Sequence, residues 1–167
     1  MASPRIIRVA AADTASLEQM RDLFTEYAKW LSPFVTRSSI ADEIVSLPAP
    51  FAGPDGVLLA ACDSNGRLCG CVGVKRHSDT ECEIKRLFVR PDCRGAGLGY
   101  DLFSAALDAA CELGYSEVLV STIPSFMPEA NAMYERLGFV ATDCFEDHTH
   151  AEVDMRYLRY ALSEWCS

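Results

Sequence analysis

The stretch Glu83-Ile84-Lys85-Arg86-Leu87-Phe88-Val89-Arg90-Pro91-Asp92-Cys93-Arg94-Gly95-Ala96-Gly97-Leu98-Gly99 decides how this chain is read. Cys82 to Val89 has the composition of a strand, and Pro91 follows it as a breaker. From Gly97 onward Leu98, Leu102, Ala106, Ala109 and Leu113 recur at helical spacing, and Gly114 stands where a helix end favours glycine. A glycine-rich turn between a strand and a helix aims successive backbone N–H groups at one point. Glycine also lets the backbone approach a phosphate closely. Arg94 to Gly99 is therefore expected to form an anion cradle.

Three kinds of glycine loop compete for these residues. A P-loop would need Gly-Lys-Ser/Thr after four intervening residues, but Gly99 is followed by Tyr100-Asp101. A dinucleotide fingerprint would need a third glycine at position 100, which is Tyr100, and would belong in a parallel strand-helix-strand unit. The third pattern, Arg/Gln-x-x-Gly-x-Gly/Ala, is met by Arg94-Gly95-Ala96-Gly97-Leu98-Gly99. A second stretch, Ala130-Asn131-Ala132-Met133-Tyr134-Glu135-Arg136-Leu137-Gly138-Phe139, lies one strand further on.

Together these two stretches resemble the GNAT superfamily of acyl-CoA-dependent N-acetyltransferases, and residues 83–91 look like a bacterial-type subgroup with unassigned acceptors. The resemblance covers about residues 57 to 158. It implies a coenzyme A pyrophosphate on Arg94, Gly95, Ala96, Gly97, Leu98, Gly99 and Tyr100, and pantetheine paired to the backbone of Leu87 and Val89. A backbone N–H near Phe88 or Val89 would polarise the thioester carbonyl. An amine would attack acetyl-CoA directly, with no covalent enzyme intermediate and no metal. Tyr134 would be the general acid at the departing sulfur, although some family members use this tyrosine chiefly to position the thiol. Glu83 would act as a water-relayed base, with Glu81 two residues away on the same strand face. Where the family often has Asn seven residues before the tyrosine, this chain has Met127, which offers pantetheine no side-chain amide. Arg94 has two roles open to it, contacting phosphate or buttressing the loop. A noncatalytic acyl-CoA sensor is the alternative function, and turnover separates the two.

Elsewhere the pattern is one of alternating elements. Ile6 to Ala10 reads as a strand. Asp13 or Thr14 can cap a helix that carries Leu17, Met20, Phe24, Tyr27 and Leu31, and a second helix runs from about Ser39 to Leu47. Pro48 to Gly56 reads as a loop and the most mobile part of the chain. Val57 to Cys62, Leu68 to Lys75 and Cys82 to Val89 form a meander, and Val118 to Thr122 is a further strand. Pro128 opens a short helix that Gly138 ends, Phe139 to Ala141 begins a hairpin, and Val153 to Leu158 returns as its second strand. The expected fold is mixed α/β in one domain, residues 1–167: a twisted, mostly antiparallel sheet of six or seven strands flanked by about four helices.

Bulk properties limit the partners. A formal net charge of −9 over 167 residues argues against nonspecific binding to nucleic acid. No apolar run approaches the roughly 20 residues of a membrane span, and the first residues lack a basic region followed by an apolar stretch, so a cytoplasmic enzyme is expected. None of the eight cysteines forms a C-x-x-C pair, and Cys62, Cys69, Cys71 and Cys82 lie in strand-like runs as buried thiols of a reducing compartment. His148 and His150, near Asp147 and Glu152, read as a polar hairpin loop without a third metal ligand. Relatives of this kind are commonly dimers, so a homodimer is an open expectation. No residue cluster names the acceptor.

Overall fold

The computed structural model describes residues 2–32, 38–146 and 154–167. In chain order the elements are β1 (Arg5–Arg8), α1 (Thr14–Leu31), α2 (Ser38–Ser46), β2 (Val57–Cys62), β3 (Leu68–Arg76), β4 (Glu81–Val89), α3 (Leu98–Glu112), β5 (Glu117–Thr122), α4 (Pro128–Leu137), β6 (Val140–Ala141) and β7 (Arg156–Ala161). Local chemistry explains several of the boundaries. The Asp13 carboxylate caps α1 by accepting from the Ser16 N–H at 3.1 Å. Pro128 sits in the first turn of α4, and Gly138 ends that helix at φ 99°, a left-handed conformation open to glycine.

The seven strands are ordered β1-β2-β3-β4-β5-β7-β6, and β4–β5 is the one parallel pair in a sheet otherwise antiparallel. Both faces are covered. On one, α3 lays Leu102, Phe103, Ala106 and Leu107 against Val72, Cys82, Val118 and Leu158. On the other, α1 packs Met20, Leu23 and Phe24 over Leu58, Ala60 and Leu68, with Phe51 wedged below. Each fully buried Leu or Phe here stabilises the fold by about 1.5–3 kcal/mol relative to exposure. Phe51 anchors the Pro48–Gly56 loop: its ring lies edge-on to Phe24, and a Cβ on Gly73 would come within 2.5 Å of it.

The feature that shapes the site is a bulge in β4. Cys71 faces Phe88 and Gly73 faces Lys85, so Arg86 and Leu87 together oppose Val72. Arg86 has φ 63°, a left-handed conformation unusual for a residue with a side chain. Two residues against one bends the strand, and the bend carries the C-terminal half of β4 away from β5.

One expectation is corrected. The last strand runs from Arg156 to Ala161, past the expected end at Leu158, because its inward alternation is set by Leu158 and Tyr160, which lie opposite Val120 and Val118 of β5; the expected start at Val153 lies outside the described residues. The tail is also tied down: Cys166 is disulfide-bonded to Cys111 of α3, and the Trp165 indole donates to Asp108 at 2.8 Å. The four strand cysteines are buried free thiols, and burial pushes Cys71 and Cys82 up to about 12. His148, His150, Asp147 and Glu152 lie outside the described residues. No described helix is long and apolar enough to cross a membrane.

Candidate active site

β4 and β5 pair only at Glu81–Glu117, Cys82–Val118 and Glu83–Leu119. Past that point β4 stays on β3 as far as Val89, and β5 stays on β7 as far as Thr122. The two middle strands therefore part, and a cavity of about 650 Å³ opens between them. It is lined by β4 from Ile84 to Val89, by Tyr27 and Trp30 of α1, by the glycine loop, and by Met133 and Tyr134 of α4. The Arg90 N–H donates to Cys69 O across to β3. Strand alternation then turns the Val89 amide the other way, into the gap that opens once β5 stops pairing after Glu83–Leu119, and Leu87 lines the same gap from within the bulge. This is an open edge in the middle of a sheet, shaped to accept an extended ligand as a strand would be accepted.

The loop closes one end of the cavity. Gly95 and Gly97 have φ of 94° and 76°, and a Cβ on either would meet nothing within 4 Å, so backbone conformation demands glycine there while the space beside it stays open. Gly97 opens α3 without a side-chain cap. The first intrahelical bond is Asp101 N–H to Gly97 O at 3.0 Å, which leaves the amides of Leu98, Gly99 and Tyr100 without helical partners. With the helix dipole behind them, these amides offer the chemistry that suits an anion. Arg94 buttresses this turn: its Nε donates to Val89 O at 2.8 Å, and its guanidinium lies 5.7 Å from the Trp30 ring centroid and 5.6 Å from that of Phe88. Ala96 is an exposed residue of the turn and does not line the cavity; Tyr100 does.

Tyr134 lies in the wall formed by α4. Its ring packs between Phe103 and Phe139, it is 6% exposed, and its hydroxyl has no hydrogen bond to a described residue. Burial holds the phenol well above the ordinary tyrosine range, and the Tyr27 phenol adds to that shift. Tyr134 is thus a phenol kept protonated beside an open cavity.

These features are those of a known group of proteins. Residues 17–139 match the acetyltransferase (GNAT) family model. The chain belongs to the GNAT acetyltransferase family. An uncharacterized N-acetyltransferase of Schizosaccharomyces pombe is 30% identical over 167 residues, covering 98% of this chain and 100% of that protein. An uncharacterized N-acetyltransferase of Escherichia coli is 33% identical over 98 residues, 56% of this chain and 58% of the other. Among solved structures, an acetyltransferase from Streptococcus agalactiae superposes with a TM-score of 0.76 at 20% identity, covering 96% of this chain and 99% of that one. A GNAT phosphinothricin acetyltransferase from Sinorhizobium meliloti, solved in complex with acetyl-CoA, gives 0.72 at 17% identity, covering 96% and 89%. The protein is accordingly a GNAT acetyltransferase, with the mixed α/β sheet and four helices of that fold.

Sequence reasoning placed Tyr134, Leu87, Phe88, Val89 and the glycine loop, and the GNAT fold gathers all of these except Ala96 around one cavity. Glu83 is different. It is 7% exposed, does not line the cavity, and accepts from or pairs with His77 Nδ1 at 3.0 Å and Lys85 Nζ at 3.4 Å. Glu81 is further removed from the opening, with its carboxylate bonded by the Ser78 hydroxyl. Sequence reasoning missed an aromatic wall, in which Trp30 meets Phe126 at 4.5 Å and Tyr27 at 6.0 Å, and the buried pair Arg86–Glu43. The helical spacing of Tyr27 marked it as a core residue; nothing in the sequence joined Glu43 to Arg86. Met127 lines the cavity with its thioether, which accepts a weak contact from Thr122 Oγ1 at 3.9 Å.

Proposed function

We propose that the cavity between β4 and β5 binds acetyl-CoA and delivers the acetyl group to the amine of an acceptor. The single observation that supports this most is the unpaired β4 edge at Leu87 and Val89 running straight into a glycine turn whose helix amides are free. In this reading the donor's pyrophosphate lies on Gly95, Gly97, Leu98, Gly99 and Tyr100, with Arg94 and Ala96 shaping the turn. Pantetheine pairs with Leu87 and Val89 as an added strand. The thioester carbonyl then meets a backbone N–H near Phe88 or Val89, which stabilises the oxyanion that forms when the amine attacks.

The amine nitrogen bonds to the acyl carbon, the carbon–sulfur bond breaks, and the thiolate leaves with a proton. Tyr134 supplies that proton, since it is a phenol facing the cavity with no competing acceptor. Glu83 receives the proton lost by the amine. It lies beside Ile84 and two positions from Lys85, both of which line the cavity, so it acts through water. The residues of the site, the single-domain boundary at 1–167 and a cytoplasmic setting belong to this same reading. Release of free coenzyme A thiol from acetyl-CoA tests it: thiol should appear when an accepted amine is added and not in its absence. Acetyl-CoA binding with no amine ever accelerating thiol release would refute it.

A further inference from the structure

The charges lining the cavity do not match the acidity of the chain. Among the described residues the lining holds four cations, Lys85, Arg86, Arg94 and Arg136, and one carboxylate, Glu129, in a protein of formal net charge −9. Arg94 leads into the glycine loop, and a donor's phosphates account for positive charge at that end. Lys85 and Arg86 stand at the other end, just past Glu83–Leu119, where β4 and β5 begin to part. No donor phosphate reaches them if the pyrophosphate lies on the loop.

Both of these cations are held by buried carboxylates that do not themselves line the cavity. Arg86 donates through Nε to Glu43 Oε2 at 2.8 Å and through Nη2 to Glu43 Oε1 at 3.0 Å; Lys85 Nζ lies 3.4 Å from Glu83 Oε2. The Arg86 side chain is only 10% exposed. A guanidinium has five N–H donors, and Glu43 takes two, so the rest are left for the Tyr27 phenol and the cavity. A buried ion pair adds little stability over apolar packing of the same volume. This one is also mounted on a left-handed residue inside a bulge. Backbone strain and a buried ion pair maintained together at a cavity wall are marks of a binding function. The Tyr27 ring, its centroid 5.8 Å from the Arg86 guanidinium carbon, adds apolar surface beside that cation, and Phe126, packed on Trp30, adds more to the same cavity.

We propose that the acceptor is an amine that also carries a carboxylate, which Arg86 and Lys85 receive while Tyr27 and Phe126 hold an apolar body. The carboxylate takes no part in the chemistry. It fixes the amine at the thioester through the guanidinium donors that Glu43 leaves over, and an amine without a carboxylate lacks that anchor. This rests on the donor assignment made above.

The experiment separates the two. Acetyl-CoA binding to the wild-type chain is titrated first. Thiol release is then measured with phenylalanine, leucine and methionine, each beside its carboxamide and its decarboxylated amine. At least one amino acid should exceed both of its analogues by about 10-fold or more in kcat/KM, as a charge-assisted contact provides. The double substitution Glu43→Gln with Arg86→Gln, which strands no buried charge, should bring that ratio to within about 3-fold while acetyl-CoA binding is retained. Lys85→Gln, on a more exposed side chain, should lower the ratio in the same direction. If acetyl-CoA does not bind, the donor reading fails and takes this inference with it. If it binds and the decarboxylated amines are used as well as the acids, or no member of the panel is acetylated, the inference alone is overturned. Equal losses for acid and amide in the double variant would assign Arg86 a structural role and overturn it too.

Discussion

Replacing Tyr134 by Phe should separate stability from catalysis. The hydroxyl has no hydrogen bond to a described residue, so the substitution removes no bond, whereas loss of a typical hydrogen bond would cost about 1 kcal/mol. The ring contacts with Phe103 and Phe139, at 5.1 and 5.5 Å, remain. For a chain of this size 1 kcal/mol corresponds to about 2–4 °C in Tm, so the variant should melt within about 2 °C of wild type or above it. Its turnover should fall by about 100-fold or more, the usual contribution of a positioned general acid, with acetyl-CoA affinity little changed. Calorimetric melting and the thiol-release assay read the two quantities on one preparation. A pH series adds a sign. Burial raises the folded-state pKa above the unfolded value of about 10, so the phenol's contribution to stability is complete below about pH 10 and is lost as pH rises above it. The wild-type Tm should therefore fall faster than the variant's above pH 10. Unchanged turnover in Tyr134→Phe, with intact stability, would remove this residue as the acid.

Two other substitutions probe the frame around it. Gly97→Val places a β-branched residue at φ 76° and should cost about 1–2 kcal/mol, near 3–6 °C in Tm, while acetyl-CoA affinity falls by about 10-fold or more in a calorimetric titration; a melting change without an affinity change would leave the glycine as a turn residue only. Gly73→Ala drives a Cβ to 2.5 Å from the Phe51 ring and should destabilise by about 1–3 kcal/mol in chemical denaturation, and a variant as stable as wild type would show that the Pro48–Gly56 loop is not anchored there.

What the sequence reveals here follows the range of the forces involved. The glycine turn, the start of α3 and the end of α4 were legible because a positive φ, a missing cap and a C-terminal glycine are decided within a few residues. Tyr134 was legible because it stands in a second stretch whose spacing from the first matches a known family. The bulge was not, since Lys85, Arg86 and Leu87 read as ordinary strand residues and only the register with Cys71 and Gly73 shows two residues facing one. Glu43 and Arg86 are joined by tertiary packing between α2 and β4, which no local pattern carries. The same holds for the Cys111–Cys166 bond. At β7 the apolar start of the predicted run concealed the alternation of Leu158 and Tyr160, which became decisive only once β5 lay beside them.

The central claim is that the gap between β4 and β5, closed by the Arg94–Gly99 turn, is an acetyl-CoA site. Isothermal titration of the wild-type chain with acetyl-CoA, with coenzyme A and NAD alongside, tests it most directly. Micromolar binding of both coenzyme A species, with no heat from NAD, is the predicted result. Failure of either coenzyme A species to bind, or equal binding of NAD, would contradict it.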